Sequence, residues 1–209
     1  MLGTPTSSRI AARREATQRE ILAAAWDAAR EQGVAQLTLR DVAERVGMRP
    51  PSLYSHFASK HAIYDAMFGQ GWAAYLEACR ATRPSLPPEP RARLRAIAHQ
   101  YFDYSVADPA WFQLLNQRLV PGFEPSAESY APSLAVIEIL REEMEEMGIT
   151  DAAAMDLWVA LVGGLVASQL ANDPGGGRYR LLLDRAVEMY ADHVGLPLGT
   201  THRAEEENS

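Results

Sequence analysis

Apolar residues recur at helical spacing along nearly the whole chain, and no apolar–polar alternation persists beyond a few positions. A period near 3.6 puts apolar groups on one side of a helix but on both faces of a strand. Such a chain folds by packing helix on helix, so the fold class is all-α. Gly and Pro set the breaks. A first helix is expected from Arg9 or Arg13 to Glu31, with Ile21, Leu22, Ala25, Ala28 and Ala29 as its apolar stripe and Gly33 at its end. A short helix follows Thr38, which pairs with Asp41 in a capping-box pattern, and it stops at Gly47. Another starts at Pro50–Pro51, where missing amides cost nothing, and ends near His56–Phe57. Ser59 caps a fourth helix carrying Ile63, Met67 and Phe68.

Four prolines, Pro84, Pro87, Pro88 and Pro90, interrupt the chain next. Helices are then expected over Arg91–Val106, around Trp111–Leu115, over Ala127–Met147, over Asp151–Ala171 with Thr150 as cap, and over Arg178–Val194. Pro121–Pro125 and Asp173–Gly177 are loops.

The 209 residues give room for one large domain or two small ones, with no need for disulfides or metal. Cys79 is the single cysteine, so a disulfide framework is excluded. No apolar h-region occurs in the first 30 residues, and the reading is a cytoplasmic protein. The net charge of -7 is unevenly spread: residues 1–70 carry 9 Arg and Lys against 7 Asp and Glu, the rest 11 against 20. A mildly basic head on an acidic body suggests two jobs.

Two short amphipathic helices joined at Gly47 make a helix-turn-helix. Val42, Ala43, Val46, Leu53 and Phe57 would lock the pair together. Arg49, Pro50, Ser52, Ser55 and His56 are left facing outward on the second helix. A helix fits the major groove, its first residues reach base edges, and its N-terminal amides suit phosphate. An ordinary helical hairpin has the same periodicity.

The residues themselves are more specific. Residues 38–60, TLRDVAERVGMRPPSLYSHFASK, with the L-Y-x-H-F core and a lysine four residues past the histidine, resemble the DNA-binding domain of TetR-type transcriptional repressors. The resemblance covers roughly residues 15–68. It implies a phosphate contact at Thr38 and a base or phosphate contact at Arg40. Pro51 and Ser52 would form the opening turn where sequence is read. Tyr54 and His56 would be the backbone-contacting pair, and Lys60 a phosphate contact at the head of the fourth helix. Arg49 departs from the family, which often has Ser or Thr there. Arginine cannot cap a helix in that way; donation to a guanine or a phosphate is its functional reading and a solvated surface arginine the alternative. Tyr54 could also pack its ring on the first helix while its hydroxyl reaches phosphate. Arg9, Arg13, Arg14 and Arg19 read as a basic arm or a solvated helix face.

The resemblance also divides the chain. Residues 1–12 would be a disordered basic arm, 13–60 a three-helix DNA-binding domain, 61–196 a larger helical domain for ligand binding and dimerisation, and 197–209 a disordered tail. The implied partners are double-stranded operator DNA, a small-molecule inducer and a second copy of the chain. No cofactor is expected. The segment AMDLWVALVGGLVASQLA is apolar nearly all round, which suits a helix buried on every side. Asp156 and acidic flanks argue against a membrane span. Leu161, Gly164 and Leu165, facing Leu183, Val187, Tyr190 and Val194 of the last helix, are the expected dimer residues, and His193 is a further candidate. Trp72, Tyr75, Tyr101, Tyr104, Trp111, Phe112 and Trp158 are candidate ligand contacts, with His99 and Gln169 as polar anchors.

The chain has no phosphate-binding glycine loop, no G-x-S-x-G elbow and no H-E-x-x-H, and its five histidines are scattered. No catalytic or metal constellation is found, and the chain is read as a regulator, not an enzyme. The rival reading is an all-α enzyme or small-molecule carrier with an incidental helical hairpin.

Overall fold

The computed structural model describes residues 5–198. The described residues form α-helices with no strand. The helices are α1 (Pro5–Gln32), α2 (Leu39–Arg45), α3 (Pro50–Leu53), α4 (Lys60–Thr82), α5 (Pro90–Ala107), α6 (Pro109–Asn116), α7 (Ala127–Glu146), α8 (Ala152–Asn172) and α9 (Arg180–His193). Breaks fall where Gly and Pro put them. α3 ends at Leu53, with turns following, and not near His56–Phe57; two further boundaries differ. Asp151, not Thr150, caps α8, its carboxylate accepting from the Ala153 amide. The first helix begins at Pro5, so residues 5–12 of the expected arm are helical; residues 1–4 and 199–209, where the rest of that arm and most of the expected tail fall, lie outside the described residues.

Two compact units are formed. The first holds the chain through Ala74 together with Ala110–Ser133. Here α1 packs on α2, and α2 on α3, around Ile21, Ala25, Ala28, Leu37, Val42, Ala43 and Leu53, all buried. The first half of α4 joins them because its apolar side has its own partners in this unit. Trp111 Nε1 donates to the Gly71 carbonyl at 3.1 Å. The side chain of Leu115 lies so close to Gly71 that a β-carbon there would meet it at 3.0 Å. Phe123 sets its ring against Tyr64 and Phe68. Asp65 accepts from the Ser126 amide and from the Ser126 and Ser129 hydroxyls.

Tyr64 ties α4 to the chain entering the helix-turn-helix, its hydroxyl donating to the buried Val34 carbonyl at 2.6 Å. Tyr64→Phe is expected to cost about 1–2 kcal/mol in a thermal or urea melt, because the carbonyl is left unpaired; an unchanged midpoint would show the bond to be neutral. Burial pushes the Tyr64 phenol up to about 12. A raised phenol holds its proton more tightly when folded. That contribution is complete below the ordinary value of about 10 and is lost as pH climbs through about 12.

The second unit holds Tyr75–Pro109 and the chain from Leu134 onward. In it α5 packs on α8 and α9. One side of α5, read at four-residue intervals, meets α9 through opposite charges. Arg91 pairs with Glu188 and Asp192, Arg95 with Glu188, His99 with Asp184, and Asp103 with Arg180. The Arg180 hydrogen bond holds the Asp103 carboxyl below its usual range. Most of these pairs are exposed and contribute little singly. Arg91 is different: it is buried and also donates to the Leu196 and Pro197 carbonyls, so residue 197, expected in the frayed tail, is tied down.

Candidate nucleic-acid interface

The helix-turn-helix is built by two local devices. Thr38 caps α2 by accepting from the Asp41 amide, and its own hydroxyl donates to the Asp41 carboxylate at 2.6 Å. That is half of a capping box; the proton expected for phosphate is already engaged by Asp41. Gly47 makes the turn at φ 66, a left-handed conformation that other residues rarely adopt. The Met48 amide then bonds back to the Ala43 carbonyl at 2.8 Å, which closes the end of α2.

Leu53 is buried and anchors α3 from below. Val46 and Phe57 are only half-buried, so Val42, Ala43 and Leu53 carry most of the lock. Arg49, Pro50, Pro51, Ser52 and Ser55 are exposed. Arg49 precedes α3 without a side-chain cap bond, as its chemistry requires. Tyr54 is 56% exposed and is not a core residue. His56 is half-buried. Arg40 is exposed and shares its charge with Glu44 at 2.8 Å, which raises its pKa. Ser59 caps α4 through the Ala62 amide, and Lys60 heads that helix with its ammonium 5.3 Å from the Tyr64 ring centre. The candidate DNA contacts thus lie at α3 and at the starts of α2 and α4.

The other expected sites fare differently. Trp72, Trp111 and Phe112 are core residues of the first unit, with the Trp72 and Trp111 rings 5.6 Å apart. In the second unit the Tyr75 ring contacts those of Tyr101 and Tyr104, at 5.7 and 4.9 Å. Burial raises the pKa of all three phenols, Tyr101 to about 12. Trp158 packs on Tyr190, 4.9 Å between ring centres. His99 is held by Asp184. Gln169 donates to the Asp173 carbonyl and accepts from the Tyr179 amide, so it secures the 173–177 loop. Tyr75, Tyr101 and Tyr104 thus form one aromatic cluster within the second unit.

The dimer stripe of the last helix needs correcting. Leu183, Val187 and Tyr190 are buried in the second unit's own core, where the Tyr190 hydroxyl donates to the Ala154 carbonyl at 2.9 Å. Val194 is half-buried. The outward line of α9 is Leu182, Ala186, Met189 and His193, with Leu182 at 43% and Met189 at 64% exposure. On α8, Leu161 and Leu165 are half-buried, Gly164 is exposed, and Leu157, Ala160, Gly164 and Ala171 run along the outward face. This helix is long and apolar enough to cross a membrane by length and composition. Its buried side is only Ala154, Trp158, Val162, Val166 and Gln169, so it is covered on one side within the chain and not on every side. Arg14, read in the sequence only as part of a basic arm or a solvated face, and Gln18, which no sequence pattern marks, bond to the end of α3 through carbonyls some 40 residues away.

Among the described residues no cluster of His, Cys, Asp and Glu could hold a metal ion. A short outward helix held in a helix-turn-helix, in an all-α chain, is the arrangement found in helix-turn-helix DNA-binding regulators. The comparisons agree. Residues 21–67 match the sequence profile of "Bacterial regulatory proteins, tetR family". The tetracycline repressor protein class A from transposon 1721 of Escherichia coli is 47% identical over 47 residues, 22% of this chain and 22% of that protein. The uncharacterized HTH-type transcriptional regulator YobS of Bacillus subtilis (strain 168) is 25% identical over 97 residues, 46% of this chain and 50% of that protein. The matched segments therefore span about a fifth and half of these curated relatives. The crystal structure of a bacterial regulatory protein in the tetR family from Rhodococcus RHA1 superposes with a TM-score of 0.64 at 19% identity, covering 87% of this chain and 98% of that one. Residues 21–67 are thus similar to the N-terminal domain of the tetR family of bacterial regulatory proteins.

Proposed function

We propose that this chain is a cytoplasmic transcriptional repressor that binds a palindromic operator as a homodimer and releases it on binding a small-molecule inducer. The observation that carries the reading is the exposure of Arg49, Pro51, Ser52, Tyr54 and Ser55 on a helix anchored through one buried leucine. Thr38, Arg40, His56 and Lys60 flank it as phosphate contacts, with Thr38 exchanging its Asp41 bond for phosphate. Residues 13–60 form the reading domain and 61–196 the responding body.

Two copies are needed because one short helix reads few base pairs, whereas a two-fold pair reads an inverted repeat. The outward apolar lines of α8 and α9 supply the contact. Tyr75, Tyr101 and Tyr104 are the proposed ligand contacts, and an apolar or planar inducer suits their rings. The inducer acts by binding better to a conformer whose reading helices are wrongly spaced; a bias of a few kcal/mol suffices.

A mobility shift on DNA upstream of the protein's own gene, run at two salt concentrations, tests the reading. Tight, salt-sensitive binding is expected, and no shift at low salt on any candidate operator would refute it. Lys60→Ala is expected to weaken binding to every sequence alike and to lower the salt slope by about one per subunit. A change confined to sequence preference would contradict its phosphate role.

A further inference from the structure

Two side chains of α1, one turn apart, reach the far end of the reading helix. Arg14 Nη2 donates to the Ser55 carbonyl at 3.2 Å, and Gln18 Nε2 donates to the His56 carbonyl at 3.1 Å. Both carbonyls belong to the turn that ends α3, where the Ser55 amide bonds to the Ser52 carbonyl and the His56 amide to that of Leu53. A helix this short has more unpaired end groups than internal bonds. At its start no side chain caps it: Arg49 makes no cap bond, and Pro50 and Pro51 have no amides to offer. Leu53 is its one buried residue.

We propose that Arg14 and Gln18 are positioning residues for sequence reading. By gripping the last carbonyls of the reading helix they set its tilt, and so the place where Arg49, Pro51 and Ser52 meet the bases. A cation at a helix C-terminus is favourable in its own right, and the four-residue spacing brings both donors to one side of α1. Base contacts demand a defined geometry, whereas phosphate contacts tolerate a degree of displacement. Loosening the tilt therefore removes discrimination before it removes affinity. The proposal rests on the DNA-reading function argued above.

The experiment uses the full chain. Wild type first enriches a duplex from a random pool; affinity is then measured for that duplex and for a scrambled one of the same base composition, across a salt series. Arg14→Ala, Gln18→Ala and Gln18→Met are each expected to lower the enriched-to-scrambled ratio about tenfold, the scale of one lost base contact. The salt slope should stay at the wild-type value, and Arg14→Lys should restore part of the ratio. Gln18→Met keeps the side-chain length while removing the donor, so a shared loss in both Gln18 variants is not a packing effect. If Arg14→Ala weakens both duplexes equally and lowers the slope by about one per subunit, Arg14 is a phosphate contact and the proposal fails. It also fails if the Gln18 variants keep the wild-type ratio. Failure of wild type to enrich any duplex refutes the DNA-reading function itself, and the clamp with it.

Discussion

Leu182→Arg combined with Met189→Arg is expected to give a folded monomer that binds operator DNA some 10²–10⁴-fold more weakly than wild type. Both side chains face outward on α9, so charge there leaves the subunit's own core untouched. Four arginines would instead be brought together across a two-fold contact, where like charges and lost apolar burial oppose association. The fall in affinity follows because each reading helix then binds alone, without the second held at the matching distance. Leu183→Ala provides the contrast. Leu183 is 0% exposed, so its truncation should cost about 2–5 kcal/mol of subunit stability. Analytical ultracentrifugation, thermal melts and mobility shifts on the same preparations separate the two. A double arginine variant that remains dimeric would place the subunit contact elsewhere. One that is monomeric yet binds with full affinity would remove the need for the pair.

The second large effect is expected at Arg91, which is 6% exposed and joins four partners: Glu188, Asp192 and the carbonyls of Leu196 and Pro197. Arg91→Met fills much of the same space but donates nothing. Removing one partner of a fully buried ion pair costs about 3–5 kcal/mol. Here Glu188 and Asp192 are partly exposed and can rehydrate, so about 2–3 kcal/mol is the better expectation. For a chain of this length that is roughly a 5–10 °C fall in Tm. The loss should persist at high salt, because the charge is shielded from solvent ions. Arg180→Met, at an exposed pair with Asp103, should lower Tm far less. Equal losses in the two variants would show that burial of Arg91 does not set its role.

Much of this was legible in the sequence. The all-α class, the helix breaks at Gly33, Gly47 and Gly148, the turn between α2 and α3, and the exposure of Ser52 follow from periodicity and local backbone chemistry. These are short-range effects: a residue's neighbours within one turn decide them. The reading helix could be located because its residue types are tied to its geometry. Proline has no amide to lose at a helix start, and glycine tolerates a positive φ.

Which side of an apolar helix faces its own subunit is not a short-range property. In α9, Leu182 and Leu183 are equally apolar, yet one stands outward and the other is buried; the positions of α5 and α8 decide which. The same holds for Gln169, committed to the Asp173–Tyr179 loop, and for Arg14 and Gln18, whose partners lie about forty residues along the chain. Sequence spacing determined where the helices are and what they could bury. Tertiary packing decided which faces they bury and which remain open to DNA or to a second subunit, because that choice depends on surfaces brought together from distant parts of the chain.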